Sequence, residues 1–184
     1  MRDVIIVGDG PGGLSAALFL AKKGLDVLIF GQDDTPMHSA LLLNYLGLPE
    51  ISGTDFQATA KAQVTAQGAT IQPGAVTKVK AVGGGFEVMD ASGEARSARY
   101  VILAEGPKGS LAEGLGLSRN SSGGIAVDRD GRTPIDNLYV VGWATRPKKI
   151  QAIISAGDGA AAALDILSKE AGRKLHDFDV VEKG

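Results

Sequence analysis

The sequence predicts an α/β fold, a central parallel sheet with helices packed on it and a three-stranded antiparallel meander. Three observations carry that reading. A β-branched run, Asp3–Val7, feeds straight into a glycine-rich turn and then into a segment with helical period. A second buried-type strand, Val27–Phe30, follows within about thirty residues, the length of one β-α-β unit with its right-handed crossover. From Ala75 to Tyr100 the hydrophobic period changes to short strand-like runs broken by glycines.

The elements follow in order. Leu14–Lys23 places Leu14, Ala17, Leu18 and Ala21 on one helical face and stops near Gly24. Gly31–Gly53 is irregular, since Pro36, Asn44, Gly47 and Pro49 break any period. A second helix is expected from about Thr54 to Gln67, with cap residues in Ser52–Asp55 and Gly68 ending it. Thr70–Gln72 is then a short strand stopped by Pro73-Gly74. Val76–Val82, Phe86–Asp90 and Glu94–Ala98 form the meander, separated by Gly83-Gly84-Gly85 and Ala91-Ser92-Gly93. Tyr100–Ala104 reads as a buried strand. Ser118–Arg132 is polar and turn-rich, with Ile125–Val127 as a candidate strand, and Leu138–Val141 is the last clear one. Gln151–Leu167 fits a final helix. Gly157 and Gly159 inside it each cost about 1 kcal/mol relative to alanine, so they are expected to serve close packing or a ligand's approach. Residues 1–172 are expected to form one domain and 173–184 a loosely ordered tail.

Composition narrows the function. The 184 residues carry a formal net charge of −2 and no run of five like charges, so a nucleic-acid or anionic-membrane partner has no electrostatic footprint. There is no cysteine, which excludes a disulfide framework, a thiolate metal site and a catalytic dithiol within this sequence. The apolar run Val4–Val7 is too short for a membrane span or a signal-peptide core, and the expectation is a cytoplasmic protein.

The chemistry-bearing motif is Gly8-x-Gly10-x-x-Gly13, placed between a strand and a helix. Gly8 permits the tight turn, Gly10 lets the backbone approach a pyrophosphate, and Gly13 lets helix and strand pack closely. The free N–H groups and positive dipole end of the helix then face the phosphates. Pro11 and Gly12 complete the turn. The acidic residue that would hold a ribose hydroxyl at the end of the second strand is missing: Gly31 stands there, between Phe30 and Gln32, and all three are expected beside the cofactor. Asp33 and Asp34 lie close by and read as solvated loop residues.

Several blocks in order resemble the low-molecular-weight thioredoxin reductases, of the disulfide-reductase class of flavoproteins. They are Val4–Gly13, Asn44-Tyr45-Leu46-Gly47, the meander, Tyr100–Gly106, Pro134–Gly142 and Gln151–Ala163. The resemblance covers nearly the whole chain and implies a Rossmann-like FAD-binding domain. It implies cofactor contacts at Asn44, at Val76, at Ala104-Glu105-Gly106 after the buried strand, at Gly142-Trp143, and at Gln151-Ala152, where a helix start faces the flavin. The departures are Leu46 for the family's proline, Glu105 for its threonine, and Trp143 for the aspartate that binds the ribityl hydroxyls. Relatives of this kind often dimerise through this domain, so a homodimer is implied as well.

Full members of that family insert a nucleotide domain with its own glycine fingerprint and a Cys-x-x-Cys pair between the two strands matching Tyr100–Ala104 and Leu138–Val141. Here residues 105–137 join them and hold neither. The expected function is therefore a flavoprotein oxidoreductase or electron carrier. It would take electrons from a separate donor, NAD(P)H or a reductase protein, and deliver them to an acceptor the sequence does not name. A non-catalytic flavin-binding redox sensor, or a member of a larger complex, is the alternative, and a plain NAD-binding domain the third reading. No catalytic residue or metal-ligand set stands out. His38 reads as a solvent-facing loop histidine, and Arg146, Lys148 and Lys149 as surface cations. Tyr45 reads as core, while Trp143 is open between core and ring stacking.

Overall fold

The computed structural model describes residues 1–181. Strand β1 (Arg2–Val7) sits mid-sheet because it is apolar on both faces. Val4 and Ile6 join one hydrophobic cluster while Ile5 and Val7 join another, the two-residue alternation of a strand buried on both sides. Parallel neighbours flank it: β2 (Val27–Gly31) on one side and β8 (Ala95–Leu103) on the other. Strand β5 (Thr70–Pro73) extends the sheet beyond β2, and β9 (Leu138–Val140) pairs with β8.

Two helices cover the face beneath Val4 and Ile6. Helix α1 (Pro11–Lys22) begins with proline at its first turn, which is preset for a helix and needs no N–H there. Helix α4 (Ala152–Ala171) lies on α1 and runs one turn past the expected Leu167, ending at Gly172 in the left-handed conformation. Helix α2 (Gly53–Ala66) packs beside them, its start closed by Ser52 Oγ accepting from Asp55 N at 3.1 Å. The opposite face is covered by the meander, β6 (Val76–Val82) and β7 (Gly85–Asp90).

β8 joins the two systems. Its first half pairs antiparallel with β7 and its second half parallel with β1 and β9, so the two strands expected at Glu94–Ala98 and Tyr100–Ala104 are one. Arg99 looks like a break in the sequence but points out to Asp3 and Glu170 without interrupting the ladder.

The chain differs from expectation in three further places. The segment 31–53 contains a 3₁₀ turn (Pro36–Ser39) and a short ladder, β3 (Leu41–Leu42) with β4 (Ile51–Ser52). Ile125 makes only an isolated bridge to Arg119. The tail is fastened as far as Asp179, which pairs with Lys22, and the Asp177 side chain is buried between Lys22 and Lys23. The last three residues of the expected tail, 182–184, lie outside the described residues.

Candidate functional site

The glycine turn and the two helix starts meet at one cleft above the C-terminal ends of β1, β8 and β9. It has two adjoining hollows that share Gly10, Thr35, Pro36, Ala104 and Gly106. The first, of about 290 Å³, is walled by Met37, Leu41, Leu42, Trp143 and Ile150 and closed at one end by Gln151 and Ala152. The second, of about 520 Å³, is more polar, with Asp9, Gln32, Asp34, Thr77 and Ser110 among its walls. Their contrast suits a ligand with a flat apolar part and a sugar-phosphate part.

The glycines of the turn have separate jobs. A Cβ on Gly8 would fall 2.2 Å from the Ala104 carbonyl oxygen, and one on Gly13 would fall 2.0 Å from that of Gly8. Gly8 also has φ +110°, which disfavours any side chain. A Cβ on Gly10 would meet nothing within 4 Å, because it faces the cleft.

Electrostatics favour an anion. Neither α1 nor α4 has a side-chain cap or an acidic residue in its first turn, whereas α2 has both. Unpaired N–H groups and two positive dipole ends therefore open on the same cleft. Asn44 Nδ2 donates to Gln151 Oε1 at 2.9 Å and ties the 32–50 segment to the start of α4.

Of the residues expected at the site, Gly8, Gly10, Pro11, Gly12, Phe30, Gln32, Asn44, Val76, Ala104, Glu105, Gly106, Gly142, Trp143, Gln151 and Ala152 all line one hollow or both. Gly13 and Gly31 line neither. Gly13 is used up in strand–helix packing, and Gly31 lies beneath the Asp9 side chain. The Glu105 carboxylate turns away to accept from Leu111 N at 2.9 Å and Ala112 N at 3.0 Å. It thereby closes the start of α3 (Ser110–Gly114), a helix too short to show as a period in the sequence. Tyr45 faces away from the cleft, tilted against Phe56 with ring centroids 5.4 Å apart. Arg146 pairs with Asp158 and, with Lys148 and Lys149, borders a separate hollow.

The family model described as pyridine nucleotide-disulphide oxidoreductase matches residues 2–50 and 47–159. The chain belongs to that family. A thioredoxin reductase of Streptomyces clavuligerus is 33% identical over 127 residues, 66% of this chain and 38% of that protein. A thioredoxin reductase of Listeria monocytogenes is 28% identical over 127 residues, 67% of this chain and 40% of its own length. The chain thus matches well under half the length of these relatives. A solved thioredoxin reductase from Gloeobacter violaceus superposes with a TM-score of 0.88 over 98% of this chain and 99% of that one, at 17% identity. This member of the pyridine nucleotide-disulphide oxidoreductases has the fold of a thioredoxin reductase flavin domain and no cysteine for a Cys-x-x-Cys pair. Among the described residues no helix is long and apolar enough to cross a membrane, and no metal-binding cluster occurs.

Asp9 and two residues of α2 are not among the residues expected at the site. Gln57 is buried and donates from Nε2 to the Asp9 carbonyl oxygen at 2.9 Å; its Oε1 has no partner. Lys61, one turn on, reaches the Asp9 carboxylate at 3.0 Å and also pairs with Asp33. Burial works against charge on Lys61, but the bonds to Asp33 and Asp9 outweigh it and raise its pKa. The Lys61 hydrogen bond, opposed by burial and joined by one from His38, holds Asp33 below the usual carboxylate range. His38 bridges Asp33 and Thr54, each at 3.1 Å, instead of facing solvent alone. The one available clue to Asp9 is a charged residue inside a turn that otherwise demands small ones.

Proposed function

We propose that the chain binds FAD in this cleft and acts as an oxidoreductase or electron carrier. Its electrons come from a separate donor, NAD(P)H or a reductase protein, and go to a separate acceptor. The observation that carries this reading is the convergence of two uncapped helix N-termini on one cleft. An isolated helix end is common; two opening on one elongated hollow match a ligand with negative charge at two places.

In this reading the α1 start and the Gly10–Gly12 backbone hold the pyrophosphate. Trp143 and the apolar wall around Met37, Leu42 and Ile150 flank the ring and exclude water from it. The start of α4 favours the negative charge that the reduced ring carries. Bound flavin supplies the capacity to accept a hydride or single electrons; the protein supplies position and field.

A second reading, a redox sensor or a member of a larger complex without turnover of its own, draws on a specific observation. Residues 104–137 return from β8 to β9 without any inserted domain, and the sequence has no dithiol. One series of measurements separates the readings. The purified protein is examined by visible absorption, its cofactor is identified after heat release, and the holoprotein is titrated anaerobically with NADH and NADPH. FAD release supports the binding reading. Reduction followed by reoxidation with an acceptor supports the carrier, and FAD with no reducible turnover supports the sensor. Protein that is colourless and takes up no added FAD overturns both.

A further inference from the structure

The Asp9 carboxylate occupies the space a side chain at position 31 would need. A Cβ on Gly31 would lie 2.4 Å from Asp9 Cγ and 2.6 Å from Oδ2, and no other group stands as close. Position 31 is the end of β2, where dinucleotide folds place the acid that holds a ribose diol. The chain lacks that acid and has a carboxylate in the same volume, carried from the phosphate turn.

This carboxylate is held in place. Only 7% of the Asp9 side chain is exposed. Oδ2 accepts from Asp33 N at 3.3 Å and faces Lys61 Nζ at 3.0 Å, while Gln57 fixes the backbone from the other side. Among the described residues no donor bonds to Oδ1, and Asp9 lines the polar hollow beside Gln32 and Asp34. A buried carboxylate with one oxygen committed and one free is an acceptor awaiting a donor. A hydroxyl of a ligand sugar has that chemistry.

We infer that Asp9 is the ribose-binding carboxylate of this chain, replacing the acid absent at Gly31, with Lys61 as the positioning residue that keeps it oriented. The assignment rests on the FAD reading above. It requires that Asp9 act on the adenosine half of the ligand alone.

The test compares FAD with FMN, which lacks the adenosine half, by equilibrium titration of apoprotein. The variants are Asp9→Asn, Lys61→Met, and the pair Asp9→Gly with Gly31→Glu, which returns the acid to the strand end. The expected result for Asp9→Asn is FAD affinity weakened about tenfold or more, the usual worth of a charged hydrogen bond, with FMN affinity unchanged. Lys61→Met should weaken FAD in the same selective way, and Lys61→Arg should restore it. The double variant should recover most of the lost FAD affinity. Equal losses for FAD and FMN, or none for either, overturn the assignment while leaving FAD binding in place. Should Asp9→Asn not fold, the double variant decides alone, and its failure to bind FAD selectively over FMN counts against the inference. A wild-type protein that takes up no FAD removes the parent reading and this one together.

Discussion

Gly12 and Gly159 touch backbone to backbone where α1 crosses α4. A Cβ on Gly159 would fall 2.0 Å from the Gly12 carbonyl oxygen, too close for any side chain. The contact is what brings the two helix starts to the same cleft, since α4 can approach the glycine turn only if position 159 carries no side chain; a Cβ on Gly12 would instead meet the Ser155 carbonyl oxygen at 3.2 Å. Gly157, two residues earlier, meets nothing within 4 Å.

The two glycines therefore predict opposite outcomes from one substitution. Gly159→Ala should push the helices apart and destabilise the protein by about 1–3 kcal/mol, as overpacking does. FAD affinity should fall with it. Gly157→Ala should stabilise by up to about 1 kcal/mol, because it restores helix propensity at an open position. Denaturant titrations of both variants settle it, and equal signs would refute the packing account.

Glu105 gives a second prediction. Its carboxylate serves the first N–H groups of α3, which leaves only its backbone to wall the cleft. Glu105→Ala should cost about 1–2 kcal/mol, in the range of a lost helix cap. Glu105→Gln, keeping one acceptor, should cost less. FAD affinity should stay within about threefold of wild type in either variant. A thermal melt with a parallel flavin titration reads both quantities, and a large affinity loss without destabilisation would place the side chain in the site.

The third prediction concerns acid. Asp165 on α4 accepts from Arg132 Nε at 2.7 Å and from the Tyr139 hydroxyl at 2.6 Å. Burial alone would raise its carboxyl, but those two bonds outweigh it and hold the pKa below the ordinary 3.8. A depressed carboxyl stabilises the fold above its unfolded pKa and loses that contribution as pH falls through the folded value. Asp165→Asn should thus cost roughly 1–3 kcal/mol at pH 7, toward the low end because Arg132 is partly solvated. The difference from wild type should shrink only below about pH 4. Urea unfolding at several pH values measures it; a gap that closes near neutrality would point to a different group.

How much of this was legible follows from which contacts are local. The strands at Val4–Val7, Val27–Phe30 and Val101–Leu103 announce themselves because each is apolar on both faces, a property of the segment alone. The turn at Gly8–Gly13 is equally local, and with the resembling blocks it marks most of the cleft wall. α3 was missed because its cap comes from Glu105 across a loop and its five residues are too few for a period. The loss at Gly31 could be seen, but its replacement could not. Asp9 lies 22 positions earlier in the chain, and only the packing of β1 against β2 brings its carboxylate over Gly31. Gly157 and Gly159 look alike in sequence, and the position of α1 alone distinguishes them.

Trp143 supplies the last prediction. It is the sole tryptophan, and it stands directly after Gly142, whose φ of +73° turns the chain from β9 into the apolar hollow. At this place the resembling enzymes carry an aspartate for the ribityl chain; here an indole lines the wall instead. If the ring of bound FAD lies in that hollow, Trp143 emission must be quenched on titration with FAD, saturating at one equivalent. Trp143→Phe should abolish the signal while lowering affinity only slightly, because an aromatic wall is kept. Trp143→Asp should separate two accounts of the site. Tighter binding would mean that the ribityl contact is simply missing in the wild type and that carboxylate restores it. Weaker binding would mean that stacking on the indole has taken over its role. An unquenched tryptophan in a protein that nonetheless holds FAD would move the ring out of this hollow altogether.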